Sequence, residues 1–383
     1  MNRTALILGS GIGGIVAAQT LRKLLPVSDR VIAVDRAAQH LFQPSLLWLM
    51  TGARKPADFT RPLDRLANKG VEMLRGTVTR IDPSRREAEI DGQTIAADAL
   101  IIALGADYAP EAIPGLTDAG MNLYTMEGAT AIRDGLARFK GGRIVILTAA
   151  PMYKCPAAPY EAAMLVDSYL RKHGLRDQAS IEFFAAEPRP MFVAGPEIGA
   201  AVRGMIEARG IAYHPEHQVK EIDPAARQIA FANGTAAEFD LLFYVPPHRA
   251  PAVVREAGLT NESGWIAVDR HTLQTQFDNV FAIGDVTTIP LKMGRPLPKA
   301  GVFAHGEAEV VAHNIAQAWT GKGRPHQFSG DGACFIETGG GRAGFGSGDF
   351  YAEPTPRVRM RGPSLFWHAG KIVYEKYWLY RRF

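Results

Sequence analysis

The stretch that most constrains this chain is Thr4-Ala-Leu-Ile-Leu-Gly-Ser-Gly-Ile-Gly-Gly-Ile15: an apolar run, a glycine turn and the start of a helix. Ala5 to Leu8 has the unbroken apolar character of a parallel strand covered on both faces. Gly9, Gly11 and Gly14 then give G-x-G-x-x-G. In such a turn the first glycine makes the bend, the second lets the backbone approach a pyrophosphate, and the third lets helix pack on strand. A second apolar run, Val31 to Val34, ends at Asp35, and 35 − 14 = 21 residues beyond the last glycine is where a carboxylate for a ribose hydroxyl is expected. Together these predict a dinucleotide-binding βαβ unit. The alternative is a glycine-rich βα turn with no nucleotide.

A chain of 383 residues should hold two or three domains, each with its own core. Basic and acidic residues nearly balance, 43 against 39, which disfavours a nucleic-acid binder, while the pI of 9.0 does not oppose an anionic membrane surface. No run of 18 apolar residues exists, so no spanning helix is expected. The first strand begins close to Met1, which leaves no room for a secretory signal in this reading. The two cysteines, Cys155 and Cys334, cannot make a disulfide framework for folding.

Further along, Ile15 to Leu25 has helical apolar spacing, and His40 to Met50 is rich in large apolar side chains that suit either a flat ligand or plain core. Val71–Leu74 and Gly76–Asp82 read as strands. A meander follows through Glu87 to Ile95, turning at Asp91-Gly92. Asp98 to Gly105, Arg143 to Met152, Ser180 to Ala185 and Asp240 to Val245 read as further strands. Gly199 to Ala208 and His305 to Trp319 read as helices. His248 follows two prolines, and its role is left unassigned.

The first glycine fingerprint, the carboxylate after strand two, the strand ending Ala103-Leu104-Gly105 and the late Phe281-Ala-Ile-Gly-Asp285 together resemble the two-dinucleotide-domain flavoproteins related to glutathione reductase. The resemblance implies an α/β fold with two Rossmann-like dinucleotide-binding domains. Residues 1–110 and 251–325 would form a discontinuous FAD domain, 111–250 a second Rossmann-like domain, and 326–383 a C-terminal region carrying a redox cysteine and a membrane contact. It also implies that Gly9, Gly11, Gly14, Asp35, Val78, Gly105, Gly284, Asp285 and Gly301 bind FAD. Leu104 departs from the small hydroxyl residue usual before that glycine.

Such enzymes usually carry a second glycine fingerprint for NAD(P)H. Here the equivalent strand runs into Pro151-Met-Tyr-Lys-Cys-Pro-Ala-Ala-Pro-Tyr-Glu161, with no G-x-G-x-x-G. Without glycines a second pyrophosphate cannot approach closely, so a nicotinamide electron donor is not expected.

Cys155-Pro-Ala-Ala-Pro-Tyr-Glu161 resembles the C-P-P-x-P-Y-E segment of flavocytochrome c sulfide dehydrogenases and sulfide:quinone oxidoreductases, and Gly332-Ala-Cys-Phe-Ile336 resembles the site of their partner cysteine. Pro298-Lys-Ala-Gly-Val-Phe-Ala304 is similar to the segment that closes over the flavin. Tyr374-Glu-Lys-Tyr-Trp-Leu379 is similar to the tail of the quinone enzymes. A lone cysteine is more often a small core hydrophobe. As a pair 334 − 155 = 179 residues apart, these two are expected to meet at the flavin as a reachable, thiolate-prone redox pair.

The resemblance therefore implies oxidation of hydrogen sulfide to polysulfide or sulfur through Cys155 and Cys334, with non-covalent FAD passing electrons to a membrane quinone. Cys334 would be the flavin-side sulfur, Cys155 the persulfide carrier, Glu161 a proton shuttle and Lys299 a stabiliser of charge on the reduced flavin. No metal is expected. Alternatives are a flavoprotein sulfide dehydrogenase serving a cytochrome partner, or a reductase like the type II NADH dehydrogenases.

With only two cysteines, a third active-site sulfur and a covalent flavin link are both expected to be absent. The tail, dense in aromatic and basic residues, suggests a peripheral helix touching the membrane with Ile372, Leu379 and Phe383 on one stripe, Trp378 and Tyr380 beside it, and Lys376, Arg381 and Arg382 at headgroups. A capping helix or a contact in a homo-oligomer remains open.

Overall fold

The computed structural model describes residues 2–383. The glycine fingerprint folds as its spacing predicts. Strand β1 (Thr4–Leu8) enters the turn, α1 (Ile12–Leu24) leaves it, and β2 (Arg30–Asp35) ends on the expected carboxylate. Next come β3 (Glu72–Arg75) and β4 (Ala99–Ile102), separated by the meander over 78–96. The middle of the chain supplies β5 (Met121–Asn122), β6 (Gly142–Thr148), α2 (Ala158–Lys172), β7 (Ala179–Ala185), β8 (Ala212–His214) and β9 (Leu241–Val245). Then β10 (Val280–Ala282) returns to the first sheet, and α3 (Gly301–Thr320) packs along α1.

Two parallel sheets result that share the order of four strands and differ in the fifth, an edge strand that comes late in the chain in the first sheet and early in the second. The first runs β10-β4-β1-β2-β3 and the second β5-β9-β6-β7-β8. In each, the founding strand, β1 or β6, is central, pairing in parallel with the next strand, β2 or β7, on one side and with β4 or β9 on the other. The central strands are buried on both faces, which explains their unbroken apolar sequences. The α/β class with two Rossmann-like sheets is thus borne out. The strand read as reaching Met152 stops at Thr148, because the turn that follows contains Pro151 and leads into Cys155 at φ +48.

The C-terminal segment adds a feature its sequence did not reveal. An antiparallel sheet of β11 (Asp331–Gly339), β12 (Arg342–Asp349) and β13 (Arg357–Ser364) precedes the helix α4 (Leu365–Arg381). Its strands hold many glycine and arginine residues, which mask the period-two pattern of a half-buried strand. The Cys334 strand, β11, lies against α2, the helix that follows Cys155.

The stripe expected to face outward on α4 is wrong. Trp378 and Leu379 are buried, and with His368, Lys371 and Glu375 they form the inward face. Leu365, Phe366, Val373, Tyr377 and Tyr380 point outward instead. Apolar spacing misassigned the face because the inward stripe carries charges whose partners, Glu161, Glu337 and Arg54, come from distant segments. Among the described residues no helix is long and apolar enough to cross a membrane.

Candidate active site

The turn after β1 has the shape of an anion cradle. A Cβ at Gly9, whose φ is +100, would collide with the Ala103 carbonyl, and one at Gly14 with the Gly9 carbonyl. Gly11 has open space beside it. It is also the N-cap of α1, without a side-chain cap and without an acidic residue in the first turn. The first amides of α1 are therefore free to bind an anion. Asp35 is held beside this turn by the amides of Ser10 at 2.7 Å and Ala37 at 2.9 Å. Gly76 N–H donates to the Asp35 carbonyl, which sets the approach to Val78 at the head of the meander.

A second helix start converges on the first. The N-terminus of α3 at Gly301 packs so closely on Ile12 that a Cβ would collide with it, and its N-cap, Ala300, also gives no side-chain cap. Gly284, at φ +74, donates its N–H to the buried Glu307 at 2.6 Å, fixing the Gly284-Asp285 turn against α3. Burial pushes Glu307 up to about 7. Gly105, at φ +69, closes β4 with nothing packed against the space a side chain would take. Two uncapped helix N-termini, a ribose-reaching carboxylate and glycines facing open space fit the diphosphate and ribose of FAD.

The second sheet offers the opposite picture at the equivalent point. Glu187 follows β7 as Asp35 ends β2, yet it is buried and accepts hydroxyls from Tyr160 at 2.7 Å, Thr148 at 2.7 Å and Tyr153. The carboxylate that would meet a second ribose is consumed by the protein's own side chains. With a glycine-free turn after β6, this end is filled rather than open.

Both cysteines line one apolar cavity of about 160 Å³, together with Lys299, Met191, Phe192, Phe350 and Met360. The fold thus brings together two segments that are distant in sequence. The thiols are reachable but not thiolate-prone, contrary to the sequence reading. Burial, and then the charge of Glu161, pushes Cys155 up to about 12, and burial raises Cys334 beyond the ordinary thiol range, against the pull of Lys371 on both. In the dithiol state both sulfurs are neutral. The Cys155 N–H donates to the Lys299 carbonyl at 2.6 Å, tying the cysteine turn to the segment that precedes α3.

Lys299 commits two of its three N–H donors, to the carbonyls of Asp285 at 2.8 Å and Thr287 at 2.7 Å, and its ammonium lies 3.5 Å from the Trp265 ring centroid. Burial lowers it to about 8, against the carboxylates of Asp285 and Glu307. Glu161, one turn beyond the cysteine loop, is buried and paired with Lys371 at 2.7 Å. His248 packs edge-on to Tyr108 and Tyr124, and burial lowers it to about 3, so the imidazole is neutral.

Sequence reasoning missed Lys154, buried over the Tyr108 ring at 4.7 Å next to Cys155, and the group Lys371, Glu337 and His368. Only the spacing of His368, Lys371 and Glu375 on one helical face could have signalled the latter.

The sequence matches the family described as pyridine nucleotide-disulphide oxidoreductase over residues 3–318. The sulfide-quinone reductase of Aquifex aeolicus (strain VF5) is 29% identical, the match covering 100% of this chain and 91% of the relative. The mitochondrial sulfide:quinone oxidoreductase of Mus musculus is 25% identical over 91% of this chain and 78% of its own length. Among solved structures, the sulfide:quinone oxidoreductase from Aquifex aeolicus superposes with a TM-score of 0.89 at 25% identity, covering 99% of this chain and 91% of that one.

Proposed function

This chain belongs to the pyridine nucleotide-disulphide oxidoreductase family, and from that premise we propose that it is an FAD-dependent sulfide:quinone oxidoreductase. The observation that carries the reading is the single apolar cavity that holds Cys155 and Cys334 beside the residues leading into α3. The named relatives, similar over nearly the whole chain, support it.

FAD, when bound, accepts an electron pair from reduced sulfur and releases it to a second acceptor. Gly9, Gly11 and Gly14 with the first turn of α1 would hold its diphosphate, Asp35 its adenosine ribose, and Asp285 and Gly301 the chain leading to the ring. Val78 and Gly105 would border the nucleotide. The link is non-covalent, since the two cysteines are needed for sulfur.

Hydrosulfide attacks the Cys155–Cys334 disulfide; one cysteine becomes a persulfide and the other leaves as thiolate. Cys155 carries the persulfide and Cys334 is the flavin-side sulfur. The apolar wall excludes water from this exchange. Lys299, held in place by two carbonyl bonds and the Trp265 ring, would set its positive charge beside the developing negative charge. The filled pocket at Glu187 supports sulfide rather than a nicotinamide as the electron donor. The outward row on α4 supports peripheral contact with the membrane that holds the quinone.

Anaerobic mixing tests the reading. Sulfide should bleach the flavin absorbance within the mixing experiment and NADH should leave it unchanged. Rapid bleaching by NADH with none by sulfide would move the chain to the NADH dehydrogenase class.

A further inference from the structure

Hydrosulfide is an anion, and the cavity that holds the cysteines is walled mainly by apolar side chains. Moving an anion out of water into such walls is costly unless a positive charge meets it on the way. The exposed residues of the cavity lining include Pro151, Met152, Pro188 and Arg295, which mark the rim where it meets solvent. Two arginines stand at that rim and take no part in the sulfur exchange described above.

We infer that Arg189 and Arg295 form an anion-capture site at the mouth of the sulfur cavity, and that sulfide enters there as HS⁻ rather than as neutral H₂S. The inference rests on the functional reading above. Phe192 lines the cavity and carries both cations. The Arg189 guanidinium carbon lies over its ring at 4.3 Å from the centroid, and that of Arg295 at 5.2 Å. The two come from distant segments. Arg189 belongs to the loop that follows β7, and Arg295 to a tight turn in which the Leu291 N–H donates to the Arg295 carbonyl at 2.8 Å.

Neither arginine is neutralised. Among the described residues neither guanidinium makes an ion pair or a hydrogen bond, and Nε of Arg189 is buried without a partner. The Arg189 stem is nevertheless fixed in place. It runs so close to Gly199, on the helix Pro196–Glu207, that a Cβ there would lie 3.3 Å from the Arg189 Cδ. One cation over an aromatic ring is a common packing arrangement. Two cations on the same ring, both without an acid, repel each other, and a buried donor left unpaired costs free energy. An anion that accepts from both guanidinium groups removes both costs.

Other charges on the cavity walls suit an anion too. Lys299, whose carbonyl accepts the Cys155 N–H, lines the same cavity. Glu187 is the acid in the lining, and it is buried with its oxygens accepting the hydroxyls of Tyr153, Tyr160 and Thr148. On β13, Val358 and Met360 line the cavity, and the alternate residues Arg357, Arg359 and Arg361 are exposed on the other face of the strand. Low-dielectric walls beneath such a cluster focus its field and raise the local concentration of a small anion. The arginines therefore act on capture, before any sulfur bond forms or breaks, and salt weakens what they do.

The test is anaerobic stopped-flow bleaching of the FAD-loaded protein over a range of sulfide concentrations at one pH, in about 0.02 M and about 0.5 M salt. For the wild type the second-order rate constant should fall about tenfold across that range, while the limiting rate at saturating sulfide stays constant. Arg295→Gln, at an exposed position, should lower the second-order constant at low salt several-fold. Arg189→Met combined with Arg295→Gln should lose most of the salt response, with full FAD content and the wild-type limiting rate. Arg189→Lys combined with Arg295→Lys keeps the charge and should keep the response. A wild-type constant indifferent to salt, a response that survives undiminished in the neutral pair, or a lysine pair as slow as the neutral one overturns the capture site and leaves the functional reading standing. If the neutral pair does not hold FAD, the wild-type salt response and Arg295→Gln decide the matter. Wild-type protein that sulfide fails to bleach at either salt concentration overturns the functional reading and the capture site with it.

Discussion

The indole N–H of Trp378 donates to Nε2 of His40 at 3.0 Å, with neither residue more than 3% exposed. The other ring nitrogen of His40 faces the Ser10 carbonyl at 3.4 Å. One buried imidazole thus ties the tail helix to the glycine turn at the start of the chain. A donor at Nε2 requires that nitrogen to be unprotonated, and burial lowers His40 to about 4.

Stability should therefore fall in mild acid. The folded pKa lies below the ordinary 6.5, so between pH 6.5 and 4 the unfolded chain holds a proton that the folded one lacks. The contribution is complete above pH 6.5 and fades as pH drops toward 4, by about 3 kcal/mol in all. Chemical denaturation of the wild type and of His40→Gln across this window measures it. The glutamine variant should be less stable at neutral pH and lose less on acidification; equal slopes would mean that His40 does not titrate with folding.

The glycine turn makes a prediction that separates folding from binding. At Gly14 a methyl group would meet the Gly9 carbonyl, whereas at Gly11 it would meet only open space. Gly14→Ala should lower the melting temperature of the protein stripped of FAD. Gly11→Ala should leave that melt unchanged and weaken FAD binding about tenfold or more, since the lost contact is one of close backbone approach to a charged group. Titration of stripped protein with FAD reads the second effect; equal affinity would place the diphosphate elsewhere.

How much of this was legible in the sequence depended on whether a residue's partner was local. The βαβ unit at Gly9 to Asp35 was legible because strand burial, turn glycines and helix start are all set within a few residues of one another. The second sheet was legible for the same reason. The cavity shared by Cys155 and Cys334 was reached only through family resemblance, because no local spacing tells which strands will meet. Lys371 was legible only as one of three polar positions on a helical face, not as a buried charge. A lysine in an aromatic and basic tail reads as a headgroup contact until Glu161, 210 residues away, turns it inward.

Thiol reactivity should show the cost of that burial. Cys155 at about 12 holds on the order of a thousandfold less thiolate at pH 7 than a thiol at its unperturbed value. Iodoacetamide should therefore alkylate the reduced cysteines far more slowly than a free thiol at pH 7, with a rate that keeps climbing above pH 9. Lys371→Met should slow it further, because the ammonium is the charge that pulls both thiols down. Alkylation as fast as that of free cysteine would show that a thiolate is stabilised in the dithiol state after all.

The outward face of α4 lets the proposed membrane docking be tested apart from folding. Phe366, Val373, Tyr377 and Tyr380 follow one another at intervals of seven, four and three residues, and are 71%, 66%, 55% and 70% exposed. That is a single stripe, with Arg381 exposed beside it. Deleting the tail would mix two roles, since Trp378, Leu379 and Lys371 on the inward face belong to the core and to the sulfur site. Replacing the four outward residues with serine leaves those contacts in place. Sulfide bleaching of the flavin should then keep its wild-type rate, while co-sedimentation with liposomes should weaken at least about a hundredfold, given the apolar area lost from the interface. Turnover with a long-chain quinone in liposomes should fall in parallel, and a short water-soluble quinone should remain a good acceptor. If the serine variant still sediments with liposomes as the wild type does, the stripe is not the docking face, and the contact must lie on a different surface of the fold.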